Sequence, residues 1–303
     1  MLLALGSCSV SALDGDKPMV VTTIFPPYDF AKAIAKDLID LSVLVTITDS
    51  HSFSPSATDM AKIEECDLFI YTGGDGDRWA EEFLHQIDTS DKIVINMMEV
   101  CTLIESVHSH DHESHHDHNH ENEAPSYDEH VWLDPNNAIK IVKAIEIALI
   151  EIDSANQNQY QANSSQYISE LYALDEAYHQ TVDSAENRFI VVADRFPYRY
   201  LCEAYGIEYI SAISGCGAAS DLTAIQYEHL AEVLRNKNLS VILCTEYSDQ
   251  TIANTVLREC GKENVKILSL HSCHTLNMAA IRKDESYLSI MRENLKILDS
   301  ALN

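Results

Sequence analysis

Short β-branched runs alternate with stretches of helical periodicity, and the whole alternation occurs twice. Strands fit residues 19–24 (MVVTTI), 41–47 (LSVLVTI), 67–71 (DLFIY) and 92–96 (KIVIN), with helices at 28–37, 57–66 and 78–87 between them. The rhythm returns with strands at 188–193 (RFIVVA), 207–211 (IEYIS), 240–244 (SVILC) and 265–270 (VKILSL), and helices at 197–205, 222–236 and 249–260. Parallel neighbours need a crossover connection, normally a helix, so this pattern implies βαβ units and parallel sheets. Two passes imply two α/β lobes, and 303 residues suit two domains of ordinary size.

Between the passes lies a long helical region. Asp134 is an N-cap candidate, and Pro135 suits the first helical position. Ile139, Val142, Ile145 and Leu149 then recur at helical spacing. A second helix, about 45 Å long at 157–186, carries Tyr167, Leu171, Leu174, Tyr178 and Val182 on one face. That stripe reads as core packing, and the helix as a rigid brace. The expected organisation is a remnant leader at 1–17, an N-terminal α/β lobe at 18–133, a helical linker at 134–187 and a C-terminal α/β lobe at 188–303.

Charge narrows the partners. With 20 Lys plus Arg against 48 Asp plus Glu, the formal net charge is −28. That argues against nucleic acid, whose phosphates need basic patches, and fits a protein that meets cations. No stretch reaches the ~18 apolar residues of a membrane span. "MLLALGSCS" lacks the basic region and full apolar core of a secretory signal. It reads as the end of one, with the start set too far downstream. Eight cysteines leave seven beyond Cys8, an odd number. Several lie in apolar runs, as small buried hydrophobes do.

The segment 108–126 holds seven of the fourteen histidines: His108, His110, His112, His115, His116, His118 and His120. A His/Asp/Glu run without apolar residues buries no core and stays solvated. It can collect metal weakly, but a selective site needs side chains fixed by packed elements. Ligands of open parallel sheets bind beyond the carboxyl ends of the strands. Metal-capable residues at such positions are His51, Glu246, His271 and His274. His130 stands beside them, between the histidine segment and the brace. Arg195 also follows a strand but has no lone pair to offer a metal.

The sequence resembles the zinc/manganese solute-binding lipoproteins of ABC transporters. "IFPPYDFAKAIAKDL", "DSHSFSPSATDMAKIEECDLFIYTGG", "HVWLDPNNA", "CEAYGIEYI", "VILCTEYSDQTIANTVLRECG" and "VKILSLHSC" carry the resemblance, over about residues 18 to 300. "LGSC" resembles the lipobox that places a lipid anchor on Cys8. The resemblance implies two α/β lobes joined by a long helix, with metal in the inter-lobe cleft. It implies His51 and His130 as the first two ligands. The third does not carry over, because the usual His-Asp pair after the first C-lobe strand reads Arg195-Phe196. His271 lies close to the family's late acidic ligand and is expected to replace the lost histidine. Glu246 is then the fourth ligand, with His274 as the alternative. A nitrogen-rich set suits zinc better than manganese.

The resulting expectation is a monomeric, extracytoplasmic Zn²⁺-binding protein that hands its cargo to an ABC permease and is held to the membrane by a lipid on Cys8. A manganese-binding homologue and a metal-dependent surface adhesin are the alternatives. A zinc hydrolase finds little support, since neither an H-E-x-x-H helix nor a G-x-S-x-G elbow occurs. Cys216 in "SGCGAAS" and Cys273 in "HSCH" are open to a disulfide, to unpaired thiols or to a soft ligand role.

Overall fold

The structure, a computed structural model, describes residues 17–45, 53–106, 126–215, 222–275 and 285–303. The first lobe contains β1 (Met19–Thr22), α1 (Phe25–Ala35), β2 (Asp40–Val43), α2 (Ala57–Glu65), β3 (Leu68–Tyr71), α3 (Arg78–Leu84), β4 (Ile93–Asn96) and α4 (Met97–Val100). After a 3-10 turn at Val131–Leu133 come the long helices α5 (Pro135–Ile152) and α6 (Gln157–Ser184). The second lobe contains β5 (Phe189–Val192), α7 (Arg199–Tyr205), β6 (Glu208–Ser211), α8 (Ala224–Asn236), β7 (Val241–Thr245), α9 (Thr251–Cys260), β8 (Lys266–Leu270) and α10 (Tyr287–Leu302).

Each lobe has a four-stranded sheet, in the orders β2-β1-β3-β4 and β6-β5-β7-β8. All strand pairs are parallel. The strands' two-residue period sorts side chains between cores. Val20, Leu68 and Ile70 face a central core, while Val21, Phe69 and Tyr71 face an outer one under α2 and α3. In the second lobe Ile190, Val192 and Leu243 face the same central core, and Val191, Ile242 and Cys244 an outer one.

The brace is a pair of packed helices. The Asp134 side chain accepts from the Asn136 N–H at 2.8 Å and caps α5. Ile139, Val142, Ile145 and Leu149 on α5, and Tyr167, Leu171, Leu174, Tyr178 and Val182 on α6, are buried in the central core. Phe30 of α1 meets Tyr167 of α6 and Tyr287 of α10 edge-on, at 5.9 and 4.9 Å between ring centres.

Two helices go beyond the expected set. Short α4 is opened by the Asn96 side chain, which accepts from the Met98 N–H. α10 buries Tyr287, Met291, Asn294, Leu298 and Leu302, a helical stripe. Helix α1 begins at Phe25, earlier than expected, because Pro26 and Pro27 lie in its first turn, where a missing N–H costs nothing. Among the described residues, no helix is long and apolar enough to cross a membrane.

Candidate metal centre

His130 is held from both lobes. Glu105 and Tyr127 form an antiparallel bridge, and the Asp128 N–H donates to the Ile104 carbonyl at 3.0 Å. Tyr200 of α7 accepts from the Ile104 N–H and donates its hydroxyl to the Asp128 carbonyl at 2.8 Å. On the first-lobe side the Gly76 N–H donates to Glu129 Oε2 at 2.9 Å. A Cβ at Gly76 would stand 2.9 Å from that same oxygen, so a larger residue here would push the Glu129 carboxylate aside.

The His130 ring is almost fully buried, with 3 % exposure. Asp128 Oδ1 lies 2.9 Å from His130 Nδ1 and accepts the His130 backbone N–H at the same distance. Burial opposes the charge on Asp128, but His130 and Arg199 outweigh it and hold the carboxyl below its ordinary range. An ionised acceptor fixes the imidazole proton on Nδ1 and leaves the lone pair on Nε2, the arrangement common to metal-binding histidines.

The second histidine in place is His274. Its ring stands edge-to-face with that of His130, 5.4 Å between centres, and 5.0 Å from the Trp132 ring. Trp132 packs on His130 as well, at 5.3 Å. The Trp132 indole N–H donates to the Ser272 carbonyl at 2.9 Å, and Tyr287 donates its hydroxyl to the Trp132 carbonyl at 2.6 Å.

Glu246 directly follows β7 and His271 directly follows β8, as expected from the strand pattern. Both Glu246 oxygens are engaged by Ser272: Oε2 accepts its N–H at 3.0 Å and Oε1 its hydroxyl at 2.7 Å. His271 Nδ1 accepts the Cys273 N–H at 2.9 Å and lies 3.4 Å from Glu246 Oε1. One nitrogen cannot accept from an amide and donate to a carboxylate together. The shorter contact decides, and it puts the proton of neutral His271 on Nε2. Burial lowers the His271 pKa against the pull of Glu246 and Glu285, which favours that neutral form.

The remaining sites expected from sequence (His51, the histidines His108 to His120, Cys8 and Cys216) lie outside the described residues. Cys273 carries a buried free thiol, as do Cys66, Cys202, Cys244 and Cys260. Among the described residues, no three His, Cys, Asp or Glu side chains are grouped to hold a metal. Sequence reasoning gave no role to Asp128, Trp132, Ser272 or Asn294. Only Asp128 had a local signal, a carboxylate two residues before a histidine.

Two parallel-sheet lobes on a helical brace, with histidines converging between them, define a solute-binding architecture. Residues 20–301 match the family described as "Zinc-uptake complex component A periplasmic" (ZnuA), and the chain belongs to that family. It is 31 % identical over 289 residues to the high-affinity zinc uptake system protein ZnuA of Bacillus subtilis (strain 168), covering 95 % of this chain and 88 % of that one. It is 30 % identical over 301 residues to the zinc-binding lipoprotein AdcA of Streptococcus pneumoniae serotype 4 (strain ATCC BAA-334 / TIGR4). That match covers 98 % of this chain but only 58 % of AdcA, so the chain spans little more than half of that relative. Among solved structures, the Zn(II)-bound ZnuA-like domain of S. pneumoniae AdcA superposes with a TM-score of 0.76 at 28 % identity, covering 94 % of this chain and 99 % of that one. The metal-dependent lipoprotein YcdH of B. subtilis gives 0.79 at 27 % identity, with the same coverage.

Proposed function

We propose that this chain is the extracytoplasmic solute-binding component of an ABC transporter, capturing Zn²⁺ between its lobes and passing it to a membrane permease. The observation that carries the reading is the meeting of His130 and His274, 5.4 Å between ring centres, one on the segment before the brace and the other within the second lobe. The names of its relatives support the same cargo: AdcA is a zinc-binding lipoprotein and ZnuA a high-affinity zinc uptake protein. His130, through Nε2, and His274 supply two ligands, and His51 supplies the third. Neutral imidazoles at about 2.0–2.1 Å suit a four-coordinate zinc ion. Capture requires no bond to be made or broken in a substrate, so no catalytic residue is assigned. A lipid on Cys8 holds the monomer beside its permease.

Zinc titration of the purified chain against a chromophoric chelator tests this. One tight zinc per chain is expected, lost in His130→Ala. Deleting the gene from its source should abolish high-affinity zinc uptake. Tight binding undiminished by His130→Ala, or unchanged uptake, overturns the reading.

A further inference from the structure

The turn from His271 to His274 is held by more contacts than a surface turn needs. Cys273 lies in the left-handed region, with φ +59°, although it carries a side chain. That conformation is disfavoured for non-glycine residues and persists only where the surroundings impose it. Here four separate elements impose it. Asn294 of α10 accepts the His271 N–H and donates to the His271 carbonyl, both at 2.8 Å. Trp132 donates to the Ser272 carbonyl. The Phe25 N–H, at the start of α1, donates to the His274 carbonyl at 3.3 Å. Glu246, after β7, accepts from both the amide and the hydroxyl of Ser272. The product of this grip is a His274 ring facing His130.

We propose that Glu246 is a positioning residue and not a metal ligand: with Ser272 it fixes the strained turn that presents His274 to the metal. The proposal rests on the reading of His130 and His274 as zinc ligands. A ligating carboxylate must turn an oxygen toward the ion, whereas both oxygens of Glu246 are turned toward Ser272. The Ser272 carbonyl is bound to Trp132, which itself packs on both imidazoles. Glu246, Ser272 and Trp132 therefore form one chain of contacts from β7 to the paired histidines. A turn fixed before metal arrives delivers its ligand without ordering the backbone on binding.

Glutamine separates positioning from ligation. Its Oε1 accepts the Ser272 N–H and its amide donates to Ser272 Oγ, since a hydroxyl both donates and accepts. Zn²⁺ affinity of the full chain should therefore fall about tenfold or more in Glu246→Ala and Ser272→Ala, and remain close to the parent in Glu246→Gln. X-ray absorption should show the same ligand atoms around zinc in the parent and in Glu246→Gln. In metal-free protein the Trp132 indole N–H resonance should move in Glu246→Ala and Ser272→Ala and stay in place in Glu246→Gln. With two tryptophans in the chain, that resonance is easily assigned. If Glu246→Ala does not fold, Ser272→Ala and Glu246→Gln still decide. The proposal is overturned if Glu246→Gln loses zinc together with an oxygen from the coordination shell, or if Glu246→Ala or Ser272→Ala binds like the parent. His130→Ala is the control for the site itself: parent-like binding there sinks the zinc-site reading whatever Glu246 does.

Discussion

Trp132 reaches 140 residues along the chain to donate its indole N–H to the Ser272 carbonyl. This bond joins the segment bearing His130 to the turn bearing His274. Trp132→Phe keeps a ring against both imidazoles but leaves a buried carbonyl without its partner. It should cost about 1–3 kcal/mol of stability by denaturant titration and weaken Zn²⁺ binding. A variant as stable as the parent would show that the bond is replaced by solvent.

His130→Ala and His274→Ala should each weaken zinc at least tenfold, about 1.4 kcal/mol, because each removes a bond to the metal. His271→Ala should cost less, its Nδ1 being committed to the Cys273 amide. Chelator competition ranks the three. A His271→Ala loss equal to that of His130→Ala, with His274→Ala unaffected, would exchange the roles of the two histidines.

Deleting residues 108–120 should keep the tight zinc and remove a weaker binding phase in calorimetry. The paired stems at Glu105 and Tyr127 anchor His130 on the far side of the deletion. Loss of the tight phase would mean that the run supplies a ligand after all.

Zinc affinity should fall as pH drops through about 6.5, the ordinary imidazole value, because protons compete for the ligand lone pairs. Equal affinity at pH 7.5 and pH 5 would exclude a site built on histidine.

Stability should carry a different pH signature from Asp29. Burial raises its carboxyl from the ordinary 3.8 to about 6, although the Tyr287 amide, the Tyr167 hydroxyl and Lys32 favour the charge. The folded protein then holds this proton more tightly than the unfolded chain. The resulting stabilisation is complete below pH 3.8 and is lost as pH rises through about 6. Both hydrogen bonds end on the same oxygen, Oδ2, so an asparagine with its oxygen there keeps both. Asp29→Asn should gain roughly 1–3 kcal/mol above pH 6 and nothing at pH 4, read by urea denaturation. A gain independent of pH would assign the effect to packing.

Seven of the eight strands lie within a residue or two of where periodicity places them, because buried parallel strands are written as compact apolar runs, whereas β2 spans Asp40–Val43 and stops short of the expected residue 47. Helix α10 lies outside the expected elements although Tyr287, Met291, Asn294 and Leu298 recur at helical spacing. The strand-end rule brought out Glu246, His271 and His274 as a group but could not divide labour among them. The contacts that distinguish them run through Ser272 and Trp132, which carry no metal chemistry and sit far apart in sequence. Cys273, between the two imidazoles, lies in the left-handed region, and a cysteine gives no sign of such a conformation in sequence.

The central core has its own consequence for unfolding. Val20 and Leu68 of the first sheet, Leu171 and Tyr178 of the brace, and Val192 and Leu243 of the second sheet belong to one apolar cluster. Neither sheet can shed that face without exposing the other's partner. Two lobes with separate cores would melt in two steps, but these should behave as a single calorimetric unit, the van't Hoff enthalpy matching the measured heat. The division visible in the topology is thus not a division in cooperativity.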